Sequence, residues 1–169
     1  MNRYQHTLEK LENNTAKRSI ALVIEGALIG VLAGLTAVLY RYCLTYAESG
    51  LYAVLNFIRG NAGVTALWFA ALILMGCIVA KIVKWEPMAA GSGIPQVSGE
   101  VRGYLDQSFW RVVLAKFTGG TLSIFGGLSL GREGPSIQLG AMVAKIYSRL
   151  RNYDKTTEIG LLSCGAGAG

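Results

Sequence analysis

Gly131-Arg132-Glu133-Gly134-Pro135-Ser136-Ile137-Gln138-Leu139-Gly140 sets an arginine and a glutamate between two apolar segments. The run before it, Phe117 to Leu130, carries no charge. Charge at membrane depth costs about 2.5–3.5 kcal/mol per residue on insertion scales, and a chain that tolerates it usually serves an ion or proton path. For an arbitrary Arg-Glu pair the simpler reading is a surface turn in which Arg132 and Glu133 pair with each other. The residues that follow shift the balance. Gly134 removes bulk, and Pro135 suits the first turn of a helix. A helix opening there directs its free N–H groups back at Glu133, where negative charge is favoured.

The rest of the chain has the composition of a membrane protein. Of 169 residues, 52% are hydrophobic and 15% charged, with a mean hydropathy of +0.41. That is too apolar for an ordinary soluble domain. The net charge is +6, and the basic residues lie mostly outside the apolar runs, as they do on the cytoplasmic flanks of spans. No basic stripe is interleaved with aromatics, so no nucleic-acid partner is expected. Cys43, Cys77 and Cys164 are far apart, without metal-ligand spacing, and read as small buried apolar residues. Neither a metal nor a cofactor is expected.

In chain order, residues 1–18 read as a polar cytoplasmic tail that contains the single histidine, His6. Residues 19–169 read as part of one membrane domain. Ser19 to Tyr40 is long enough to cross a bilayer. Its Gly26, Gly30 and Gly34 fall on one helix face and predict close packing. Glu25, near the cytoplasmic end, is expected to reach polar surroundings or a neighbouring helix. Arg41 to Gly63 reads as a connection with a short interfacial helix at Leu51 to Ile58. Val64 to Val83 is a second span, and Lys81 and Lys84 mark its return to the cytoplasm.

A second motif follows, Gly91-Ser92-Gly93-Ile94-Pro95-Gln96. Pro95 predicts a short helix running to about Leu105. Ser92 lies just before it, so its hydroxyl either caps the helix or donates to an anion beside the exposed N–H groups. Phe109 to Leu130 is a third span, with Arg111 and Lys116 at its cytoplasmic start and glycines 126 and 127 weakening its end. Ile137 to Leu150 continues as an apolar helix and closes on the basic cluster Lys145, Arg149, Arg151 and Lys155. The last residues, Thr156 to Gly169, are apolar and small, as in a chain interrupted inside an element.

Two glycine-rich loops that each open a helix can hold an anion near mid-membrane. Helix ends supply partial charges, which bind weakly enough for release where a full cation could bind too tightly. A serine hydrolase built on Ser92 would need a base within hydrogen-bond reach. His6 is remote, and Lys116 is read at a span end. Walker-type nucleotide binding fails on spacing.

Gly91-Ser92-Gly93-Ile94-Pro95 and Gly131-Arg132-Glu133-Gly134-Pro135, in this order and with an apolar span between them, resemble the CLC chloride channels and chloride/proton antiporters. The resemblance runs from the first span to the C-terminus. It implies an all-α membrane protein with inverted repeats, broken and re-entrant helices, and a homodimer in the lipid bilayer with one anion path per subunit. It implies an anion site at Ser92, Gly93, Ile94 and the backbone around Gly134. Glu133 would be the gate that exchanges protons, with Arg132 shaping the site. Chloride and protons would be the transported species, and a bacterial inner membrane the location. Family members are usually more than twice as long. The expectation is therefore of an N-terminal portion, which alone conducts little or pairs with a separate second-half chain as a non-conducting subunit. The residues that decide channel against antiporter would lie beyond Gly169.

Overall fold

The computed structural model describes the backbone of residues 2–60 and 62–169, and side chains from residue 20 onward except residue 61. The tail read at residues 1–18, with His6, has its side chains outside this set. Among the described residues six α-helices follow in order: α1 Asn2–Ile58, α2 Ala62–Trp85, α3 Ile94–Val101, α4 Phe109–Phe125, α5 Glu133–Leu150 and α6 Lys155–Ala168, with a single 3-10 turn at Pro87–Ala89. No strand occurs among the described residues.

The first span does not end at Tyr40. The stretch read as a connection with a separate interfacial helix is the continuation of α1, and the apolar part alone covers Ile20–Ile58, 39 residues. At 1.5 Å per residue that is about 58 Å, well beyond the roughly 30 Å of hydrocarbon, so α1 must tilt or project from the bilayer. Between Arg41 and Ile58 there is no proline and one glycine, which leaves nothing to stop a helix. The stop comes at Gly60, with φ of 92°. The second span stands as read, within α2.

α3 is shorter than expected, ending at Val101 rather than near Leu105. Gly103, at φ 78°, turns the chain, the amides of Tyr104 and Leu105 bond back to Gly99 O, and this closes the helix end. α4 stops at Phe125 instead of Leu130, where Gly126 and Gly127 break it as their positions suggested. α5 begins at Glu133, two residues ahead of Pro135, which still lies in the first turn.

Pairwise contacts set the directions. Along α1 and α5, Glu25 meets Arg151, and Glu48 meets Arg132, so the two helices are antiparallel. α5 and α6 are also antiparallel and lie backbone to backbone: a Cβ on Gly140 would run into Gly165 O, and one on Gly165 into Gly140 O. In α1, Gly26 faces Cys164 and Gly30 faces Ala168, whereas Gly34 has open space beside it. Two of the three stripe glycines thus do the packing expected of them. Without a strong hydrophobic drive in lipid, such close approach is what holds helices together. Gly140→Val should therefore cost about 1–3 kcal/mol by overpacking, read as a lower unfolding midpoint in detergent; a wild-type midpoint would show that α5 and α6 can separate freely.

Much of the apolar surface faces outward. α2 has no buried residue, and Leu67, Phe69, Ile73 and Leu74 are all exposed. Cys77 and Cys164 are exposed and Cys43 is half-buried, so the cysteines are not the buried residues they were read as. Cys77 stands on α2, which buries no residue, whereas Cys164 packs its Sγ against Gly26 while remaining exposed. Glu25 does find polar company, accepting a hydrogen bond from the Tyr153 hydroxyl with Arg151 3.8 Å away.

Candidate functional site

The two glycine motifs, about forty residues apart, meet in space. A Cβ on Gly134 would lie 2.8 Å from Ser92 Cβ and 3.0 Å from Ser92 Cα. Only glycine lets the start of α5 approach the Ser92 backbone this closely. On the same side, a Cβ on Gly93 would strike the Gln138 side chain, and Gly93 itself adopts φ 90°, a conformation that other residues rarely take.

Four pairings then ascend together: Ser92 with Gly134, Gly93 with Gln138, Val97 in one cluster with Met142, and Glu100 with Lys145. α3 and α5 are therefore parallel, and their N-termini lie side by side. The first-turn N–H groups of a helix have no partner within it. Two such ends at one place make a region of positive potential without a mobile cation.

A cavity of about 360 Å³ opens against this junction, lined among others by Gly91, Ser92, Lys116, Gly131 and Gly134. Ser92 is exposed to it. The N-cap of α3 is Gly93, and no side chain caps that end. The capping role weighed for Ser92 is thus not the one it plays, and its hydroxyl is directed to no group among the described residues.

Arg132 and Glu133 part company. Arg132 donates to Glu48 on α1 at 2.7 Å, so the surface-turn pairing of Arg132 with Glu133 does not occur. Glu133 is the first residue of α5, exposed, with no ion pair among the described residues. Of the residues singled out, Ser92, Gly93 and Gly134 come together. Ile94 opens α3, half exposed, while Arg132 and Glu133 lie in sequence between the lining residues Gly131 and Gly134.

Lys116 is where the sequence reading fails. It is buried at 5% exposure, lines the cavity, and donates to Gly91 O at 2.7 Å. It is not a flanking residue at a span end. The signal was available: Lys116 lies seven residues inside an apolar segment that starts at Phe109, two turns from the edge. Its proximity also revives the serine–lysine question. The Nζ, however, is engaged by a carbonyl, and no hydrogen bond joins it to Ser92 Oγ among the described residues, so the contact a nucleophile needs is missing.

Lys145 was read as one of a basic surface cluster. It is 1% exposed and pairs with Glu100, with Asp106 at 2.6 Å and with Gln107 O at 2.5 Å. A buried lysine is tolerated only when paired and hydrogen-bonded in this way. Lys145 holds the Asp106 carboxyl below its ordinary range by a direct hydrogen bond. The remaining members stay at the surface: Arg149 and Lys155 both bind Glu158, at 3.2 and 2.6 Å.

A family model described as Voltage gated chloride channel matches residues 70–169, a stretch that holds both glycine motifs. The chain is 31% identical over 156 residues to the H(+)/Cl(-) exchange transporter ClcA of Vibrio campbellii, covering 89% of this chain and 33% of the relative. The proteins of that name from Vibrio cholerae O1 and Salmonella arizonae are each 32% identical, over 165 and 161 residues. Each match covers 90% of this chain and 33% of the relative. The chain spans about a third of the length of the curated relatives it matches. With its helical fold, two apolar helices long enough to cross a bilayer and both motifs inside the matched region, the chain is an integral membrane protein and belongs to the voltage gated chloride channel family.

Proposed function

We propose that this chain forms part of a transmembrane chloride path and that the path exchanges chloride with protons. The observation that carries the reading is the meeting of two parallel helix N-termini, at Ser92 and Gly134, on the wall of one cavity. Ser92 Oγ and the N–H groups of Gly93, Ile94 and Gly134 are the donors for the anion. Partial charges of this kind bind weakly enough to let the ion leave. Lys116 adds a full charge to the wall. Because its ammonium is held by Gly91 O, it draws anions toward the cavity without capturing them. Glu133, ionised at the start of α5, competes with the anion for the same helix end. Protonated, it loses that attraction and swings aside, which couples proton to chloride movement. Arg132, anchored on Glu48, shapes the outer rim.

The relatives bear the name of exchangers, and this favours exchange over passive conduction. The outward apolar faces of α1 and α2 suit lipid and the subunit contact of a homodimer. Relatives in Vibrio and Salmonella favour a bacterial inner membrane. The polar residues 1–18 are assigned to the cytoplasm with the basic ends of α2 and α5, and residues 19–169 form a portion of one transmembrane domain. The chemistry is transport, not catalysis.

Chloride efflux from liposomes reconstituted with the protein carrying this sequence tests the reading. Selective efflux coupled to proton uptake is expected, and its absence in well-folded protein overturns the proposal. In the same assay Ser92→Ala should change the preference among chloride, bromide and nitrate by up to about 1.5 kcal/mol, the lower end of what one hydrogen bond to a charged group is worth. An unchanged preference would remove Ser92 from the anion site.

A further inference from the structure

A buried polar chain runs from the Lys145 pair to the back of the anion loop, and nothing in the proposed path uses it. Lys145 is bound to Glu100. The other oxygen of Glu100 accepts from Gln107 Nε2 at 2.8 Å. Gln107 Oε1 accepts from Gln138 Nε2 at 2.5 Å, and the same Nε2 also donates to Met88 O at 2.9 Å. Glu100, Gln107, Gln138 and Lys145 are each at most 2% exposed. Gln138 Oε1 accepts nothing and lies against Gly93.

The direction of this chain is chemically fixed. A carboxylate only accepts, so Gln107 must turn its NH2 to Glu100 and its oxygen to Gln138. Gln138 must then present its NH2 to Gln107 and Met88, which leaves its oxygen and methylene stem on the Gly93 side. The Gln138 side chain fills the space that a Cβ on Gly93 would need. It therefore supports, from behind, the loop that aims Ser92 and the first N–H groups of α3 at the cavity. Gly134 and Gln138 are four residues apart on one face of α5, so one helix contacts both halves of the loop.

We infer that Gln138 is a positioning residue of the anion site, held in orientation by Gln107 and the Glu100–Lys145 pair. The functional half of this inference rests on the proposed chloride path; the positioning half stands without it. A fixed amide behind Gly93 limits how far the loop can widen around an anion, and this sets discrimination between chloride and larger anions.

The test uses Gln138→Met, which keeps length and removes hydrogen bonding. It adds Gln107→Met, which releases the same amide without altering the side chain against Gly93. Hydrogen–deuterium exchange of residues 89–97 should quicken about tenfold in both. In liposomes, chloride half-saturation should rise about threefold, with a smaller change in maximal rate, and chloride preference over nitrate should fall. The double variant should match Gln138→Met alone, as expected for residues acting as one unit. Wild-type exchange in this segment, or fully additive effects in the double variant, overturns the positioning role. Quickened exchange with unaltered half-saturation and preference overturns its link to selectivity. Should wild-type protein carry no chloride, the transport reading falls, and the exchange result still decides whether Gln138 positions the loop.

Discussion

Lys145→Met is expected to destabilise the protein by about 3–5 kcal/mol, the usual cost of leaving a buried charge without its partner. Glu100 is the group left stranded, at 1% exposure, with only Gln107 still bonded to it. Asp106 loses less, because it is largely exposed and water replaces the ammonium. Unfolding in mixed micelles measures the loss. The joint change Glu100→Leu with Lys145→Met should recover most of it, since replacing both members of a buried pair by apolar residues is often neutral. A Lys145→Met protein as stable as wild type would mean that water reaches Glu100. An acid titration gives an independent check. Because Lys145 depresses the Asp106 pKa, the stability from this contact is complete above the ordinary carboxylate pKa. It is lost as pH falls below about 4, through the depressed value. Lys145→Met should lack that component.

Glu133→Gln is expected to make anion flux independent of pH. A gate that opens on one proton changes its open fraction by at most about tenfold per pH unit, and glutamine has no proton to gain. The structure leaves the proposed gate room to act. Glu133 heads α5 in an exposed position, and its neighbour Arg132 is committed to Glu48, so among the described residues no guanidinium clamps the carboxylate. Flux from liposomes across the acid range should be flat and near the wild-type acid maximum, with proton coupling lost. A full wild-type pH response in Glu133→Gln would remove this residue from the gate.

Several elements were legible because short-range chemistry decides them. The helix starts at Ile94 and Glu133 follow from a proline in the first turn with a glycine one or two residues before it. The break after Phe125 follows from a glycine pair. Other features depend on what a segment packs against. Nothing in residues 41–58 breaks a helix, and only the continuation of α1 shows that the aromatics there lie on its surface. Lys116 and Lys145 were both read as flanking charges, because a lysine at a span end and a lysine inside a bundle have the same sequence. What separates them is a carbonyl at Gly91 and a carboxylate at Glu100, brought close by folding. Gln138 gave no signal of its own, although its spacing of seven from Lys145 places the two on one helix face.

Residue by residue, the sequence determined the membrane character, the two glycine-rich helix openings and the glutamate standing at one of them. These depend on composition, on proline and glycine geometry, and on the helix end, all set within a few residues. Tertiary structure alone decided that Ser92 rests on Gly134, that Arg132 turns from Glu133 to Glu48, and that a buried lysine is tied to the loop through two amides. Apart from the short Glu100–Gln107 link, those contacts join residues 31 to 84 positions apart, and such pairings exist only once α1, α3 and α5 have packed.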